Sequence, residues 1–325
     1  MAHMKPDWDP TSSDSRDNQI AAYDALRRRR PVAWSDALHW SFLTHADVSR
    51  ALLDHETFSN AVSAHPSVPN GMDPPEHTPF RALIEPYFGA DAVAAFEPVC
   101  QDIAQDLAAR LPQTGEVDLI AVVAEEFALR VQCAFMGWPR TLHDPLRRWV
   151  RRNAEATRAR DRDATAAVAR EFDGTVRALL QARRDAGPSA PDDATTRLVR
   201  ERVEGRPLND DEIVSIIRNW TVGELGTISA SVGIVMQYLA ERPALQDSLR
   251  TDPGALPEAI DEILRIHAPL IANRRAAMRP VEAGCRHIAA GDRVTLIWAS
   301  ANRDETVFGV NRHRILTPDR HRFWV

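Results

Sequence analysis

The 325-residue sequence is poor in cysteine and in lysine. Its three cysteines, Cys100, Cys133 and Cys285, lie far apart, whereas a disulfide framework or a thiolate zinc site needs closely spaced cysteines. So few cysteines are typical of a reducing compartment, and we expect the protein in the cytoplasm. Lys5 is the single lysine, and the prevalence of arginine is typical of a GC-rich genome.

The sequence also lacks the uninterrupted run of roughly 18 to 20 apolar residues that a membrane-spanning helix requires. Residues 119–136 are strongly apolar, but Glu125, Glu126 and Arg130 interrupt them, which favours a core helix containing Cys133. Asp plus Glu outnumber Lys plus Arg by 46 to 40, a net charge of −6. Because nucleic-acid-binding surfaces are basic, we expect neither a nucleic-acid partner nor a membrane partner.

Hydrophobic spacing predicts a mainly helical protein with a small sheet. From Asp91 the spacing predicts an amphipathic helix with Cys100 on its buried face. Helix signals also cover residues 17–30, 45–53, 147–183, 209–241 and 257–267. Alternating segments predict strands at 31–35, 39–44, 272–277, 281–283 and 293–298. Four consecutive arginines, Arg27–Arg30, close the first helix, and we expect them in solvent.

The helix predicted over residues 209–241 is unusual at its centre. Asn209 and an acidic first turn give it a strong start. Gly223 and Gly226 each cost roughly 1 kcal/mol relative to alanine inside a helix. Residues of low helix propensity at the middle of a long helix are typical of a functional site. The alternative is a neighbouring helix packed closely against the two glycines.

Two pairs of charged residues have the spacing of helix neighbours. His77 and Arg81 are four residues apart and share a helix face, where an arginine fork suits the two oxygens of a carboxylate. Glu262 and Arg265, three apart, can form an ion pair. Taken singly, each pair is also compatible with an ordinary solvated helix surface.

The order of several short segments resembles the bacterial cytochrome P450 family of haem-thiolate monooxygenases. The segments that carry the resemblance are residues 73–81, 262–265, 269–277, 288–294 and 301–304. The resemblance implies a mainly α-helical prism with a small β-sheet over residues 17–309, incomplete at its C-terminal haem-binding end. Residues 1–16 are then a leader- or tag-like tail, and residues 310–325 an aberrant tail rich in arginine and histidine.

The resemblance also implies haem as the cofactor. By motif register, His77, Arg81 and Arg275 correspond to the residues that hold the haem propionates in the family. Glu262 and Arg265 correspond to a buried ion pair that braces the core on the haem side. These assignments are expectations from the family pattern.

The activity implied by the resemblance is insertion of one atom of dioxygen into a small organic substrate. The electrons come from NAD(P)H through a redox partner, or through a fused reductase with flavin and iron–sulfur centres. We expect Val222, Gly223 and Ala272 near the substrate, together with the loop at 62–71. The sequence does not identify the substrate.

The centre of the long helix departs from the family pattern. Family members place an acid directly before a threonine there, whereas Leu225 and Gly226 occupy these positions in this chain. The nearest equivalents are Glu224 and Thr227. A proton relay through Glu224, Thr227 or water is therefore the hypothesis for catalysis.

The cysteine that ligates iron in the family is missing. It lies downstream of the segment 302–304, but no cysteine follows Cys285, which we place in a hairpin. We expect a chain truncated or read out of frame near Gly309, and inactive as it stands. The alternatives are a non-catalytic P450-like binding domain, and a haem protein whose iron is ligated by His313 or His321.

Overall fold

The computed structural model describes residues 5–63 and 67–309. These residues pack as two compact units. The sheet unit comprises residues 5–63 and 234–309, and the helical unit comprises residues 67–233. The expectation of an altered chain end, including the candidate ligands His313 and His321, falls on residues 310–325 and lies outside the described part.

In chain order the α-helices are α1 (Ser13–Asp17), α2 (Gln19–Arg29), α3 (His45–Leu53), α4 (His77–Ile84), α5 (Ala90–Ala109), α6 (Glu125–Met136), α7 (His143–Ala159), α8 (Arg162–Ala186), α9 (Ala194–Arg200), α10 (Asp210–Ala240), α11 (Pro243–Thr251), α12 (Leu256–His267), α13 (Trp298–Ala301) and α14 (Glu305–Phe308). The strands are β1 (Val32–Ser35), β2 (His39–Phe42), β3 (Phe58–Ser59), β4 (Arg202–Val203), β5 (Arg206–Pro207), β6 (Ala272–Ala277), β7 (Val281–Ala283), β8 (Arg286–Ile288) and β9 (Arg293–Ile297). The prediction of a mainly helical protein with a small sheet is confirmed.

The main sheet has the strand order β1-β2-β9-β6-β3 and lies in the sheet unit. β1 and β2 form the predicted antiparallel hairpin, and β9 runs parallel to β2. The predicted strands β6, β7 and β9 are present, whereas the sequence pattern does not predict β3, β4, β5 and β8. The sheet buries Phe42 and Phe58, whose ring centroids lie 5.6 Å apart, and Val294 and Leu296 of β9.

The arginine run at the end of α2 corrects the expectation of four solvated side chains. Arg27 is 3% exposed and forms ion pairs with Asp24 at 2.9 Å and Glu305 at 2.6 Å. It also donates to the backbone oxygen of Ser300 at 3.0 Å. Arg28, the next residue, is exposed as expected. Two of the groups that enclose Arg27, Ser300 and Glu305, come from the far end of the chain, so the local sequence does not reveal its burial.

The helical unit has a core of apolar side chains from α6, α8 and α10. Cys133 of α6 is 1% exposed, which confirms its place in a core helix. α7 and α8 pack through Trp149 and Phe172, whose ring centroids are 4.5 Å apart. The indole nitrogen of Trp149 donates to the backbone oxygen of Val168 at 2.8 Å and fixes the rotation of α7. Among the helices described, none combines the length and apolar character needed to cross a membrane.

α5 is the helix predicted from Asp91, but its apolar face is only partly buried. Ile103 and Leu107 are buried, Cys100 is half-buried, and Val93 is 57% exposed. The predicted buried face is therefore wrong for the first half of α5. The periodicity marks an apolar face correctly, but within the helical unit only its C-terminal half has a dense packing partner.

Candidate functional site

The candidate site begins with α10, which runs without interruption from Asp210 to Ala240. Its start is a reciprocal cap: Glu212 N donates to Asn209 Oδ1 at 2.9 Å, and Asn209 N donates to Glu212 Oε2 at 2.8 Å. The predicted long helix and its cap are confirmed. The two central glycines do not break it.

Gly223 and Gly226 leave an open strip on α10. A Cβ atom added at either position would meet no heavy atom within 4 Å, outside the helix's own backbone. Val222, beside them, is 41% exposed. The alternative explanation, a helix packed closely against these two glycines, is therefore wrong. The strip has the room that a flat group lying against the helix requires.

Glu224 lies on this stretch and is half-buried. Within the described part of the chain, its carboxylate has neither a hydrogen-bond partner nor an ion pair. Burial raises the pKa of Glu224 from its usual 4.5 to about 7, because the charged form loses solvation. The carboxyl group can therefore both hold and release a proton near neutral pH.

Thr227 is bonded to the backbone of its own helix. Its hydroxyl Oγ1 donates to the backbone oxygen of Gly223 at 2.8 Å, with a longer contact of 3.4 Å to the backbone oxygen of Glu224. This is the usual bond of a threonine to the preceding helical turn. The hydroxyl oxygen keeps its capacity to accept a hydrogen bond.

His77 and Arg81 lie one turn apart on α4, as predicted. His77 is half-buried and Arg81 is exposed, while Phe80 and Ile84 anchor the helix in the core of the helical unit. Neither His77 nor Arg81 has an ion-pair partner among the residues described. Both side chains can therefore bind an anionic group.

The remaining predicted residues lie in the sheet unit. Arg275 is half-buried on β6, and its Nη1 donates to the backbone oxygen of Arg274 at 2.8 Å. Ala272 begins the same strand, opposite Ile297 of β9, and is half-buried.

The pair Glu262 and Arg265 lies on α12, with an Nη2–Oε1 distance of 2.5 Å. Arg265 also donates to the backbone oxygen of Asn302, and its guanidinium lies 4.4 Å from the ring centroid of Phe308. The pair therefore holds the chain segment that follows α13.

Sequence reasoning missed a second set of charges that holds this segment. Arg303 forms an ion pair with Asp24 at 2.9 Å and donates to the backbone oxygen of Ile266. Arg27 meets the same carboxylate of Asp24 from the other side. The sequence signal for these contacts is the arginine run Arg27–Arg30, which indicates charge but not burial.

Comparison with known proteins assigns the fold. No protein-family model matches the chain. Linalool 8-monooxygenase of Pseudomonas putida is 30% identical over 313 residues, which cover 87% of this chain and 76% of that protein. Cyclomarin C epoxidase CymV of Salinispora arenicola is 28% identical over 285 residues, covering 83% of this chain and 71% of that protein.

The structure of open cytochrome P450 EryK from S. erythraea matches with a TM-score of 0.83 at 26% identity, over 96% of this chain and 80% of that one. The fold and these relatives define the class of haem-dependent monooxygenases. The chain belongs to the cytochrome P450 family. This family binds haem.

The described residues suit the ring and the carboxylates of haem. The open strip of α10 suits a flat ring, and the guanidinium of Arg81 and the imidazole N–H of His77 are donors that suit its carboxylates. They do not supply the thiolate. Cys133 is buried with its pKa raised to about 12 by desolvation, the pKa of half-buried Cys100 is raised for the same reason, and Cys285 is exposed in the β7–β8 turn. Cysteine ligates iron as its thiolate, a form that burial disfavours at Cys133 and Cys100.

A different metal site is also absent from the described residues. They contain no group of three or more His, Cys, Asp or Glu side chains placed to hold a metal ion.

Proposed function

We propose that residues 17–309 form a P450-like domain that binds haem and a small organic substrate. Haem supplies the activation of dioxygen in such enzymes, and electrons from NAD(P)H come through a redox partner or a fused flavin and iron–sulfur reductase. The observation that carries the proposal is the open strip at Gly223 and Gly226 beside half-buried Glu224. A long helix keeps such a strip at a cost in helix propensity, which points to a group that occupies it.

The propionates of haem would be held by His77, Arg81 and Arg275. A guanidinium binds a carboxylate through two parallel hydrogen bonds, and His77 adds a donor one turn before Arg81. Glu262 and Arg265 would keep their structural role, since their ion pair fixes the segment at Asn302.

Proton handling would fall to Glu224 and Thr227. With a pKa of about 7, the carboxyl group of Glu224 is part protonated at neutral pH. The hydroxyl of Thr227 donates to the backbone oxygen of Gly223 and can accept from water. A water molecule between the two side chains would complete the relay.

The substrate would lie against Val222 and Gly223 of α10, with Ala272 of β6 as a further neighbour. Val222 and Ala272 have small apolar side chains and Gly223 has none, which favours an organic substrate without charge at that point. The relatives named above act on chemically different compounds, so their substrates do not transfer to this chain.

We further propose that the 325-residue polypeptide does not itself catalyse monooxygenation. Burial raises the pKa values of Cys133 and Cys100, and Cys285 lies in the β7–β8 turn, so none of the three fits the family's thiolate ligand. The same observation favours a second candidate, a non-catalytic P450-like binding domain. Ligation by His313 or His321 would give a haem protein without the electron donation of a thiolate.

Titration of the purified chain with haemin tests the binding proposal. We expect saturable uptake, weakened about 10- to 100-fold in the double variant His77→Ala/Arg81→Ala, because two charge-assisted hydrogen-bond donors are lost. Arg170→Ala, an exposed arginine of α8, is the control and should leave the affinity unchanged. Absence of saturable uptake would refute haem binding and leave the binding-domain candidate.

A further inference from the structure

The segment at residues 140–162, which includes α7, concentrates positive charge that the proposed function does not use. It contains eight arginines against three acids, a local net charge of +5 in a chain whose net charge is −6. Charge this uneven is not required by the fold, because surface arginines contribute little to stability.

The packing of α7 turns most of these arginines outward. Leu146, Trp149 and Ala156 are buried, so the opposite side of the helix faces solvent. Two of the arginines are used within the helical unit: Arg147 pairs with Glu126, and Arg152 pairs with Glu171. We call the other exposed arginines of α7 and its following turn the arginine face: Arg148, Arg151, Arg158, Arg160 and Arg162.

The arginine face has little intramolecular compensation. Within residues 5–63 and 67–309, Arg148, Arg160 and Arg162 have no ion-pair partner. Arg158 donates only to the backbone oxygen of Ala154, and Arg151 stands 3.8 Å from a carboxylate oxygen of Glu125. The guanidinium groups are therefore largely available to an external carboxylate.

Arg160 has an unusual backbone conformation. It closes α7 in the left-handed conformation, with φ of 54°. Glycine is the usual residue at such a helix end, because a side chain is strained there. Retaining an arginine costs stability and places its charge at the α7–α8 turn, in line with the rest of the arginine face.

We propose that the arginine face binds an acidic surface of a partner protein, built as a helix with carboxylates along one side. Arginine forks match carboxylates in bidentate geometry. α7 has 17 residues and is about 25 Å long, which matches a facing helix. Glu155 and Asp161 interrupt the positive charge, which disfavours a uniformly anionic lipid surface or nucleic acid and favours a partner with fixed positions of charge.

The test uses the full chain and a labelled helical peptide with glutamates on one face. A peptide of the same composition, with the glutamates spread around the helix, is the probe control. The triple variant Arg148→Glu/Arg151→Glu/Arg158→Glu should bind the one-faced peptide at least about tenfold more weakly. Arg110→Glu/Arg200→Glu/Arg250→Glu, with the same change in net charge at exposed sites elsewhere, should change the affinity less than about threefold.

Arg160→Gly separates binding from folding. Because glycine accepts the left-handed conformation, the variant should unfold at a higher temperature than the parent and still bind the peptide more weakly. Equal binding of the two peptides, equal losses in the two triple variants, or unchanged binding by Arg160→Gly would overturn the proposal. Tighter binding to phosphatidylglycerol vesicles or to duplex DNA than to the one-faced peptide would also overturn it.

Discussion

Glu224 is the residue whose ionisation is most sensitive to its surroundings in the candidate site. Its pKa is about 7 in the folded chain against 4.5 ordinarily, so the folded state binds more protons between these values. The stabilising contribution of the protonated carboxyl group is complete below pH 4.5 and is lost as the pH rises through 7.

Glu224→Gln should remove this dependence. At pH 8 the variant should be more stable than the parent by about 1 to 2 kcal/mol, because the charge no longer has to be buried. At pH 4.5 or below the two proteins should differ little. Urea unfolding at both pH values measures the difference, with exposed Glu155→Gln as the control. An equal difference in the free energy of unfolding between the parent and Glu224→Gln at both pH values would contradict the raised pKa of Glu224.

Arg27 and Arg28 provide a comparison between neighbouring residues. Arg27→Ala should cost about 3 to 5 kcal/mol, because it removes a buried cation from Asp24 and Glu305. Arg28→Ala should cost less than about 1 kcal/mol, because that side chain is 58% exposed. Chemical denaturation at pH 7 measures the free energy of unfolding of both variants. Equal losses would show that burial of Arg27 does not determine its contribution to stability.

The Arg27 pair also makes a prediction for acid. A hydrogen bond from Arg27 is the main cause that lowers the pKa of Glu305 from 4.5 to about 2. The pair therefore contributes fully above pH 4.5, and its contribution is lost as the pH falls through 2. The stability gap between the parent and Arg27→Ala should narrow in that window in acid titrations followed by circular dichroism.

Individual residues differ in how far the sequence predicts them. The shared helix face of His77 and Arg81 follows from their spacing, whereas their role toward haem stays a prediction from the family pattern. The burial of Arg27 does not follow from spacing, because its partners Ser300 and Glu305 lie more than 270 positions away along the chain. Sequence pattern reports charge, whereas burial depends on distant elements.

At the scale of elements, α10 combines a strong start with an open centre. Gly223→Ala should stabilise the chain without haem by up to about 1 kcal/mol, because the added methyl group meets open space and alanine favours the helix. The same variant should take up haemin more weakly, since the methyl group occupies the strip. Thermal unfolding and haemin titration measure the two effects.

Gly233→Ala is the matched control on the same helix. Its added Cβ would come within 2.4 Å of Ile120 Cδ1, so a gain in stability should be smaller or absent. Because Gly233 does not belong to the open strip, haemin uptake should not change. Stabilisation by Gly223→Ala without any loss of haemin affinity would contradict a role for the strip in binding.

Elements with strong local signals are predicted well. α10 and α12 follow from caps and apolar spacing, and the β1–β2 hairpin follows from alternation around a turn. β3 has only two residues and exists because Phe58 pairs with Ala277, more than 200 positions away. Such a strand leaves no local pattern for sequence reasoning to detect.

At the scale of the whole molecule, motif order predicts the family where no single motif is sufficient. Glu262 and Arg265 have a spacing that any solvated helix shows, yet their position between α10 and β6 matches the P450 order. Motif order does not predict how the candidate site residues are distributed between the two units. His77, Arg81 and Glu224 lie in the helical unit, while Arg275 and Ala272 lie in the sheet unit.

The most direct measurement is the absorption spectrum of the reduced, haemin-loaded 325-residue chain under carbon monoxide. The account predicts haem uptake without a thiolate-type Soret band, because none of the three cysteines fits the role of ligand. Histidine-type or unligated spectra agree with this prediction. A thiolate-type Soret band would contradict this prediction, whether or not the Cys133→Ser or the Cys285→Ser variant abolishes it.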